Sequence, residues 1–276
     1  MQIRNIYDAE PNASPDHAPR RFIPEPEPTS SRRHDILESL GQAICGGGLH
    51  EGDVLNMDEL ATRFKVSRPV VREACGVLSS LGLVVSRRRA GTVVQAPDQW
   101  ELFSSDVIRW RLNSTSRASQ IMELSELRSS IEPAAAELAA RRATASERER
   151  LVDCLQVLLA AGEAGDIPGF HRADKQFHTL IMVSGHNSMF AQLHRFVEGM
   201  LESRYRQGLM PDEIDPWALA WHSSLGRAVI DGDPAAAHAA ARKIVARSAD
   251  EMIELSELPA PTPTSGAQAE GWLARG

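Results

Sequence analysis

The sequence has few cysteines and few aromatic residues, and it lacks long apolar runs. Its 276 residues include three cysteines, Cys45, Cys75 and Cys154, and 5% aromatic residues. The cysteines are odd in number and none forms a CxxC pair. This excludes a disulfide framework and a zinc site built from cysteine, and it is typical of a protein from a reducing cytoplasm. No apolar run approaches the roughly 20 residues of a membrane-spanning helix, and the N-terminus carries prolines and acids instead of a signal-peptide core. We therefore expect neither secretion nor a membrane partner.

A net positive charge is also absent, because the whole chain carries −7 at pH 7. A total of this sign argues against a partner as acidic as DNA, but the charge is unevenly distributed. Residues 31–97 hold nine basic against seven acidic side chains, a net charge of +2, whereas residues 98–256 hold seventeen against twenty-three, a net charge of −6. Within residues 63–89, seven basic side chains accompany a single acid, Glu73, which gives that window +6. Binding to a polyanion depends on such a local field more than on the total.

The length and the proline distribution divide the chain into two domains and two tails. At about 150 residues per domain, the length predicts two domains. Residues 1–30 contain six of the sixteen prolines and residues 257–276 contain three more, and neither segment shows helical or strand periodicity. We therefore predict disordered tails at 1–30 and 257–276. Between them we place a first domain at 31–97, a linker helix at 98–118 and a second domain at 119–256.

Residues 31–97 have the pattern of a winged helix-turn-helix domain. Apolar residues at helical spacing predict a first helix around Ile36–Ile44 and a second over Met57–Phe64. A third helix is expected after Ser67, which is a good N-cap, and ends at Gly82. Two β-rich segments at 83–85 and 92–94 predict a hairpin with its tip at 86–91.

The third helix and the hairpin tip would offer basic side chains to DNA. Arg68 and Arg72 are four residues apart, so they lie on one face of the helix. Arginine forks can bind guanine O6 and N7, while Ser67 at the helix N-terminus suits a phosphate. The tip would lie along the DNA backbone or in a minor groove, through Arg87, Arg88, Arg89 and Gly91. Alternatively, these residues form a solvated basic helix and a charged hairpin tip.

From residue 98 onward the pattern is helical and rich in alanine. We predict helices near 99–112, 119–142, 146–161, 167–184, 188–208, 216–231 and 234–256. The fold class is therefore mainly α, with an N-terminal winged helix-turn-helix domain and a C-terminal all-α helical bundle.

Three polar side chains of the bundle have the spacing of a metal site. Asp174 and His178 are four residues apart on one helix, and His222 lies two helices later. Such a set can hold one divalent ion. Alternatively, Asp174 caps the helix or pairs with His178, and His222 lies at a polar helix start.

Two further residues are candidates for binding an anionic effector. Arg128 can pair with a carboxylate, although it is also at helical spacing for an ion pair with Glu132. Asn187 opens a helix, where capping is the alternative role.

Several of these segments resemble a known family. The sequence SRPVVREA at 67–74, followed by LGL at 81–83 and RAGTVV at 89–94, resembles the GntR family of bacterial transcription factors. The sequence LRSSIEPAA at 127–135, with Asp174, Phe177-His178 and Asn187, is similar to the FCD effector domain of the FadR branch of that family. Together the resemblance covers about residues 32–256.

The resemblance implies roles for individual residues. It implies DNA contacts at Arg68, Arg72 and Gly91, and it places Arg128 in an effector cavity. It also implies a divalent metal ion, zinc or a similar one, held by Asp174, His178 and His222.

Two positions depart from the family pattern. Asp58 stands where the family often has an arginine in the second helix, and Ile244 stands where the last metal-ligating histidine usually falls. Three protein ligands can still hold an ion that leaves positions open for a carboxylate. His171 is a further candidate ligand, because it shares a helix face with Asp174 and His178.

Together the residues and the resemblance predict a ligand-responsive transcription factor and not an enzyme. We expect a homodimer that binds an inverted repeat in operator DNA and represses a catabolic operon until a small carboxylate releases it. A sugar acid is the favoured effector. The linker pattern around Trp100 and Trp110 resembles the sugar-acid-responsive repressors of this branch, galactonate regulators in particular. An activator with the opposite coupling would have the same sequence features.

Two other functions are compatible with the sequence. Asp174, His178 and His222 could hold a catalytic ion in a metal-dependent hydrolase with a basic substrate-binding surface. Against this, the sequence has neither an HExxH helix nor a GxSxG elbow. The chain could also be a DNA-architectural protein without an effector.

Overall fold

A computed structural model describes Phe22 and residues 32–257, and it divides this part of the chain into two compact units between Gln120 and Ile121. Apart from Phe22 and Glu257, the two tails predicted to be disordered lie outside the described residues. The described residues are mainly α-helical, as predicted. None of their helices is long and apolar enough to cross a membrane.

The first unit contains the predicted helix-turn-helix. Its helices are α1 (Arg32–Cys45), α2 (Met57–Phe64) and α3 (Arg68–Ser80). Helix α2 ends at Lys65, which adopts the left-handed conformation at φ 53° and turns the chain sharply into α3. Helix α3 buries Val71, Ala74 and Leu78 against the core and leaves its other face to solvent. Ser67 is the N-cap residue of α3, as predicted, although its side chain makes no capping hydrogen bond in this structure.

A small antiparallel sheet completes the winged helix. Its strands are β1 (Val54–Leu55), β2 (Val84–Arg87) and β3 (Gly91–Val94), in the order β1-β3-β2. Strands β2 and β3 form the predicted hairpin, and Arg87 pairs with Gly91 across it. The tight tip places both Arg89 (φ 72°) and Gly91 (φ 86°) in the left-handed region, where glycine is tolerated without strain. Strand β1 was not predicted, because two residues carry no detectable periodicity.

The segment predicted as a linker helix packs into the first unit. In place of one helix at 99–112, a 3₁₀ turn at Pro97–Gln99 precedes α4 (Ser105–Leu112). Trp110 of α4 is fully buried in the same cluster as Ile36 and Leu40 of α1. A Cβ atom on Gly41 of α1 would lie 2.5 Å from the Trp110 ring, so only glycine allows the two helices to approach this closely.

The second unit is an all-α bundle. It contains α5 (Arg117–Arg142) from Ile121 onward and all of α6 (Ala145–Glu163), α7 (Ile167–Ser184), α8 (Ser188–Arg206), α9 (Pro216–Asp231) and α10 (Pro234–Ser256). Local capping fixes most of the helix starts: Thr144 forms a capping box with Glu147, and the side chains of four further residues accept hydrogen bonds from first-turn amides, namely Asp166, Asn187, Asp215 and Asp233. These bounds confirm the predicted helices to within a few residues.

Helix α7 lies at the centre of the bundle. It packs between α6 and α8, while α9 packs on α6 and α10. Its Phe170, Phe177 and Ile181 contribute to the main apolar cluster of the unit. The side chains on its other face are therefore buried against neighbouring helices even where they are polar.

Phe22 also contacts this second unit. Its backbone N–H donates to the Met210 carbonyl oxygen (3.1 Å), and its ring stacks on Tyr205 with centroids 5.5 Å apart.

Candidate functional site

The first candidate surface is the solvent face of α3. Arg68 and Arg72 both lie there, exposed, as their spacing predicts. The side chain of Arg68, 65% exposed, forms an ion pair through Nε with the carboxylate of Asp58 in α2, itself 59% exposed. Asp58, the position that departs from the family pattern, therefore contacts one of the two predicted reading arginines.

The hairpin tip is the second exposed basic element of this unit. Arg87, Arg88 and Arg89 are all exposed there. Two separate groups of arginines on one small unit produce the local positive field that the charge pattern predicts.

The second candidate site is a buried polar cluster in the bundle. Helix α7 supplies Asp174 and His178, and α9 supplies His222. Asp174 Oδ1 lies 3.4 Å from His178 Nε2 and 2.9 Å from His222 Nε2. One candidate ligand atom from each of the three residues lies within 4.8 Å of the others. The structure thus brings together the three predicted metal ligands.

A hydrogen bond behind His222 and an ion-pair contact behind His178 fix which ring nitrogen of each histidine faces the cluster. His222 Nδ1 donates to the Ala218 carbonyl oxygen (2.6 Å), and His178 Nδ1 lies 2.8 Å from Glu132 Oε2. Both Nε2 atoms therefore point towards Asp174. A carbonyl or carboxylate behind each imidazole is the usual support for a histidine metal ligand.

Two of the three spacings between the ligand atoms also fit a metal ion. Ligands held at about 2.0–2.1 Å in tetrahedral geometry lie about 3.3 Å apart. The two distances from Asp174 Oδ1, 3.4 and 2.9 Å, are close to that value. The donor set of one carboxylate and two imidazoles suits zinc or a similar divalent ion.

The same residues also form an ion-pair network, which is the alternative weighed from the sequence. Burial lowers the pKa of His178, but the carboxylates of Glu132 and Asp174 outweigh it and raise the pKa to about 9. Burial raises the pKa of Glu132, but Arg128 and His178 more than reverse this and bring it to about 2. In the metal-free state His178 is therefore an imidazolium held between two carboxylates.

Arg128 connects this cluster to a second cation. It is 1% exposed, its Nε bonds Glu132 Oε1, and its Nη1 donates to Ser248 Oγ (3.0 Å). Arg204 Nη1 donates to the same hydroxyl (3.1 Å). Two buried guanidinium groups thus converge on one serine, although like charges at short range repel each other.

Arg204 is a site residue that sequence reasoning missed. Its other donors are used by the Leu209 carbonyl oxygen (2.9 Å, from Nε) and by the Glu251 carboxylate (from Nη2). The available signal was its position one helical turn after Met200 and Leu201, on the face of α8 that is otherwise apolar.

One cavity joins these groups. It opens to solvent, and its free volume is about 50 Å³. Its polar lining includes the arginines 128, 204 and 247, the triad residues 174, 178 and 222, and Ser248. Ile244 also lines it and is buried, so at this position the cavity wall carries an aliphatic side chain.

Two expected site residues lie elsewhere. Among the described residues that line the cavity, Asn187 does not occur: its side chain accepts from the amides of Met189 (3.0 Å) and Phe190 and caps α8. The capping role weighed from the sequence is therefore confirmed, while effector binding by Asn187 stays a prediction. His171 stacks on Tyr205 at 4.2 Å and contacts Glu202 (3.1 Å) instead of joining the triad.

Comparison with known proteins decides the family. Residues 32–94 match the model described as bacterial regulatory proteins of the gntR family, and residues 123–247 match the FCD domain. The galactonate operon transcriptional repressor of Escherichia coli (strain K12) is 30% identical over 230 residues, which cover 83% of this chain and 100% of that protein. The chain belongs to the GntR family. It is a transcription regulator of the type that carries an FCD domain.

Two further proteins are similar to this chain. The HTH-type transcriptional regulator LutR of Bacillus subtilis (strain 168) is 30% identical over 170 residues, 59% of this chain and 73% of that protein. A solved structure of Lar, which controls the expression of the Listeria monocytogenes agr system, has a TM-score of 0.54 at 16% identity and covers 83% of this chain and 100% of that chain. The second likeness concerns the fold alone.

Membership of this family favours a regulator over the hydrolase that the sequence left open. The family and its named members are regulators, which supports the expectation that this GntR protein is not an enzyme. The hydrolase alternative has no support among them.

Proposed function

We propose that this GntR-family chain is a cytoplasmic homodimeric repressor, released from its operator when a small carboxylate of the sugar-acid class binds the cavity of its FCD domain. The observation that carries the proposal is the pair of buried arginines, Arg128 and Arg204, which donate to one hydroxyl beside a triad with metal-ligand geometry. A carboxylate is the natural partner for two converging guanidinium groups. The three cysteines are free and buried, as suits a reducing compartment.

A sugar acid is the effector class we favour. The cavity offers cations for a carboxylate, and it also offers donors and acceptors, such as Ser248 and Asp215, that suit a chain of hydroxyl groups. The similarity to a protein named for the galactonate operon supports the same class.

We further propose that Asp174, His178 and His222 hold a divalent ion in this cavity. With Ile244 at the fourth family position, the protein supplies three ligands and leaves the remaining positions open. A bound ion would supply a Lewis-acid contact for the effector's carboxylate or hydroxyl groups. Glu132 and the Ala218 carbonyl would hold the two imidazoles in the required orientation.

At the other end of the chain, we propose that α3 reads the major groove. Arg68 and Arg72 would contact base edges, and Ser67 would contact a phosphate. The wing would follow the DNA backbone or enter a minor groove with Arg87, Arg88, Arg89 and the backbone at Gly91. A dimer would place two such units on an inverted repeat.

Release requires the effector to bind the state that does not fit the operator more tightly than the state that does. An effector between Arg128 and Arg204 would contact α5, α8 and α10 at once, because Ser248 lies on α10. It can therefore favour one arrangement of these helices over another.

The test uses DNA selected by the protein itself. A duplex is selected from a randomised pool with the wild-type chain, and its release is followed by fluorescence anisotropy as galactonate, other sugar acids or lactate are added. We expect a sugar acid to release the duplex from the wild type. Arg128→Lys keeps the charge beside Glu132 but loses the forked donors, so it should bind the duplex and respond at least tenfold more weakly to the effector. Arg141→Lys, on the exposed face of the same helix, is the matched control. The effector assignment is wrong if no sugar acid releases the duplex, or if both variants respond like the wild type.

The metal proposal has a separate readout. Elemental analysis of protein purified without added metal should find about one divalent ion per chain. His178→Ala should lose it, whereas His238→Ala, whose half-exposed ring lies 3.6 Å from Glu137, should retain it. A wild-type chain without metal would leave only the ion-pair network in the cavity.

A further inference from the structure

The contact between Asp58 and Arg68 joins the two helices of the helix-turn-helix. Arg68 is the first residue of α3, and Asp58 lies in the first turn of α2. The Asp58 carboxylate pairs with Nε of Arg68. The two terminal nitrogens of the guanidinium group, Nη1 and Nη2, can therefore bind other partners. An acid therefore holds one of the two arginines proposed to read DNA.

This pair does little to stabilise the fold. Both side chains are more than half exposed, and exposed ion pairs of this kind contribute little to stability. The ion pair matters because it fixes the position of the Arg68 guanidinium group. The position of Asp58 is itself fixed, because its backbone N–H donates to Asn56 Oδ1 (3.0 Å) at the cap of α2.

The adjacent acid has a different environment. Glu59 accepts a hydrogen bond from Asn56 Nδ2 (2.7 Å) through its carboxylate. The same turn therefore carries two acids of equal charge, of which Asp58 contacts the recognition helix and Glu59 contacts its own cap residue.

We propose that Asp58 is a specificity-determining residue for DNA recognition, because it holds Arg68 by Nε and presents Nη1 and Nη2 to a base edge. An unrestrained arginine at this position could turn to any nearby phosphate, and phosphate contacts carry no sequence information. Two terminal N–H groups held at a fixed position match the paired acceptors O6 and N7 of guanine. The carboxylate also repels phosphates, but it does so for every sequence alike, so the ratio of the two affinities depends on its contact with Arg68. This inference rests on the proposed DNA-binding role of α3.

The experiment compares selected and scrambled DNA. The probes are the duplex that the wild type selects from a randomised pool and a scrambled duplex of the same composition, and anisotropy gives the affinity for each at several salt concentrations. Asp58→Asn should bind the scrambled duplex several-fold more tightly, and the ratio of selected to scrambled affinity should fall about tenfold. A freed Arg68 that finds one more phosphate should also steepen the slope of log affinity against log salt by about 0.9.

Two further variants isolate the pair. Glu59→Gln removes the same charge one residue away and should leave the affinity ratio close to that of the wild type. In an Arg68→Ala background, Asp58→Asn should no longer change the ratio.

Two outcomes would overturn the inference. If Asp58→Asn and Glu59→Gln lower the ratio equally, only net charge matters. If Asp58→Asn still lowers it without Arg68, the acid acts elsewhere. A wild-type chain that selects no sequence at all would instead contradict the proposed function, and this inference with it.

Discussion

The arginines of the two units differ in their surroundings. On the winged helix, Arg68 and Arg72 are exposed, and Arg68 pairs with the Asp58 carboxylate. In the bundle, Arg128 and Arg204 are 1% and 7% exposed, and each bonds a carboxylate and the shared Ser248 hydroxyl. The same residue type is kept hydrated in one unit and desolvated in the other.

This difference separates two ways of recognising an anion. An exposed arginine costs little to fold and suits a long polyanion that arrives with many phosphates. A buried arginine loses its hydration and must be compensated by carboxylates within the protein. A small carboxylate can then bind strongly, because its partners are already desolvated and fixed in position.

The largest expected effect is on the stability of the bundle, where the arginines are buried. Arg128→Met leaves Glu132 without its strongest cationic partner inside the bundle, so the free energy of unfolding should fall by about 3–5 kcal/mol. Urea denaturation followed by circular dichroism measures it. Arg141→Met on the same helix, where the side chain is exposed and paired with Glu137, should change stability by less than about 0.5 kcal/mol. Equal midpoints for both variants would contradict the view that burial decides the outcome.

Substitution of an exposed arginine on the winged helix should change the affinity for DNA and not the stability of the fold. Arg72→Ala should lose about 1–3 kcal/mol of affinity for the selected duplex, while its free energy of unfolding stays within about 0.5 kcal/mol of the wild type. Anisotropy and urea denaturation on the same preparation give both numbers. Unchanged affinity would remove Arg72 from the reading surface. A large loss of stability would show that α3 depends on it for folding.

A substitution at Gly41 tests whether the interior of the first unit is packed as tightly as that of the bundle. A Cβ atom there would lie 2.5 Å from the ring of Trp110, so Gly41→Ala should force α1 and α4 apart and cost about 1–3 kcal/mol. Gly76 is a suitable control, because a Cβ atom on this helical glycine meets no atom within 4 Å. Gly76→Ala should therefore be neutral or stabilising. If Gly41→Ala is equally harmless, α4 is not held tightly on α1.

The bounds of α9 and α10 could be predicted because their signals are local. Asp215-Pro216 and Asp233-Pro234 each place a capping side chain and a proline at a helix start. The start of α4 could not, because a tertiary contact decides it: the N–H of Glu101 donates to the Leu81 carbonyl oxygen (2.9 Å) and keeps that segment out of the helix.

The residues of the candidate sites also divide into those with a local sequence signal and those brought together by contacts between helices. Asp174 and His178 are readable from their spacing on one helix. The convergence of Arg204 on Ser248 and the pairing of Asp58 with Arg68 join residues 44 and 10 positions apart on different helices. No periodicity within one helix reports contacts of this kind.

The smallest expected effect concerns Glu38, a partly buried carboxylate of the first unit that pairs with an arginine, as Glu132 does in the second. Glu38 of α1 binds both Arg109 of α4 (2.6 Å to Nη2) and Trp110 Nε1 (3.0 Å), with His34 at 3.8 Å. Burial raises the pKa of Glu38, but Arg109 outweighs it and holds the pKa below its ordinary value of 4.5. The stabilisation is therefore fully present above pH 4.5 and is lost as the pH falls through the lower pKa of the folded state.

Glu38→Gln should remove this dependence. Between pH 6 and pH 3, hydrogen exchange in α1 and α4 should accelerate more in the wild type than in the variant, after correction for the intrinsic pH dependence of exchange. Asp53→Asn is the control, because Asp53 is exposed and accepts from the backbone N–H of His50 (2.7 Å) away from this contact. If Glu38→Gln keeps the wild-type pH response, the pair is as weak as an exposed one. The first unit would then hold its charges at its surface, with none of the buried compensation that defines the bundle.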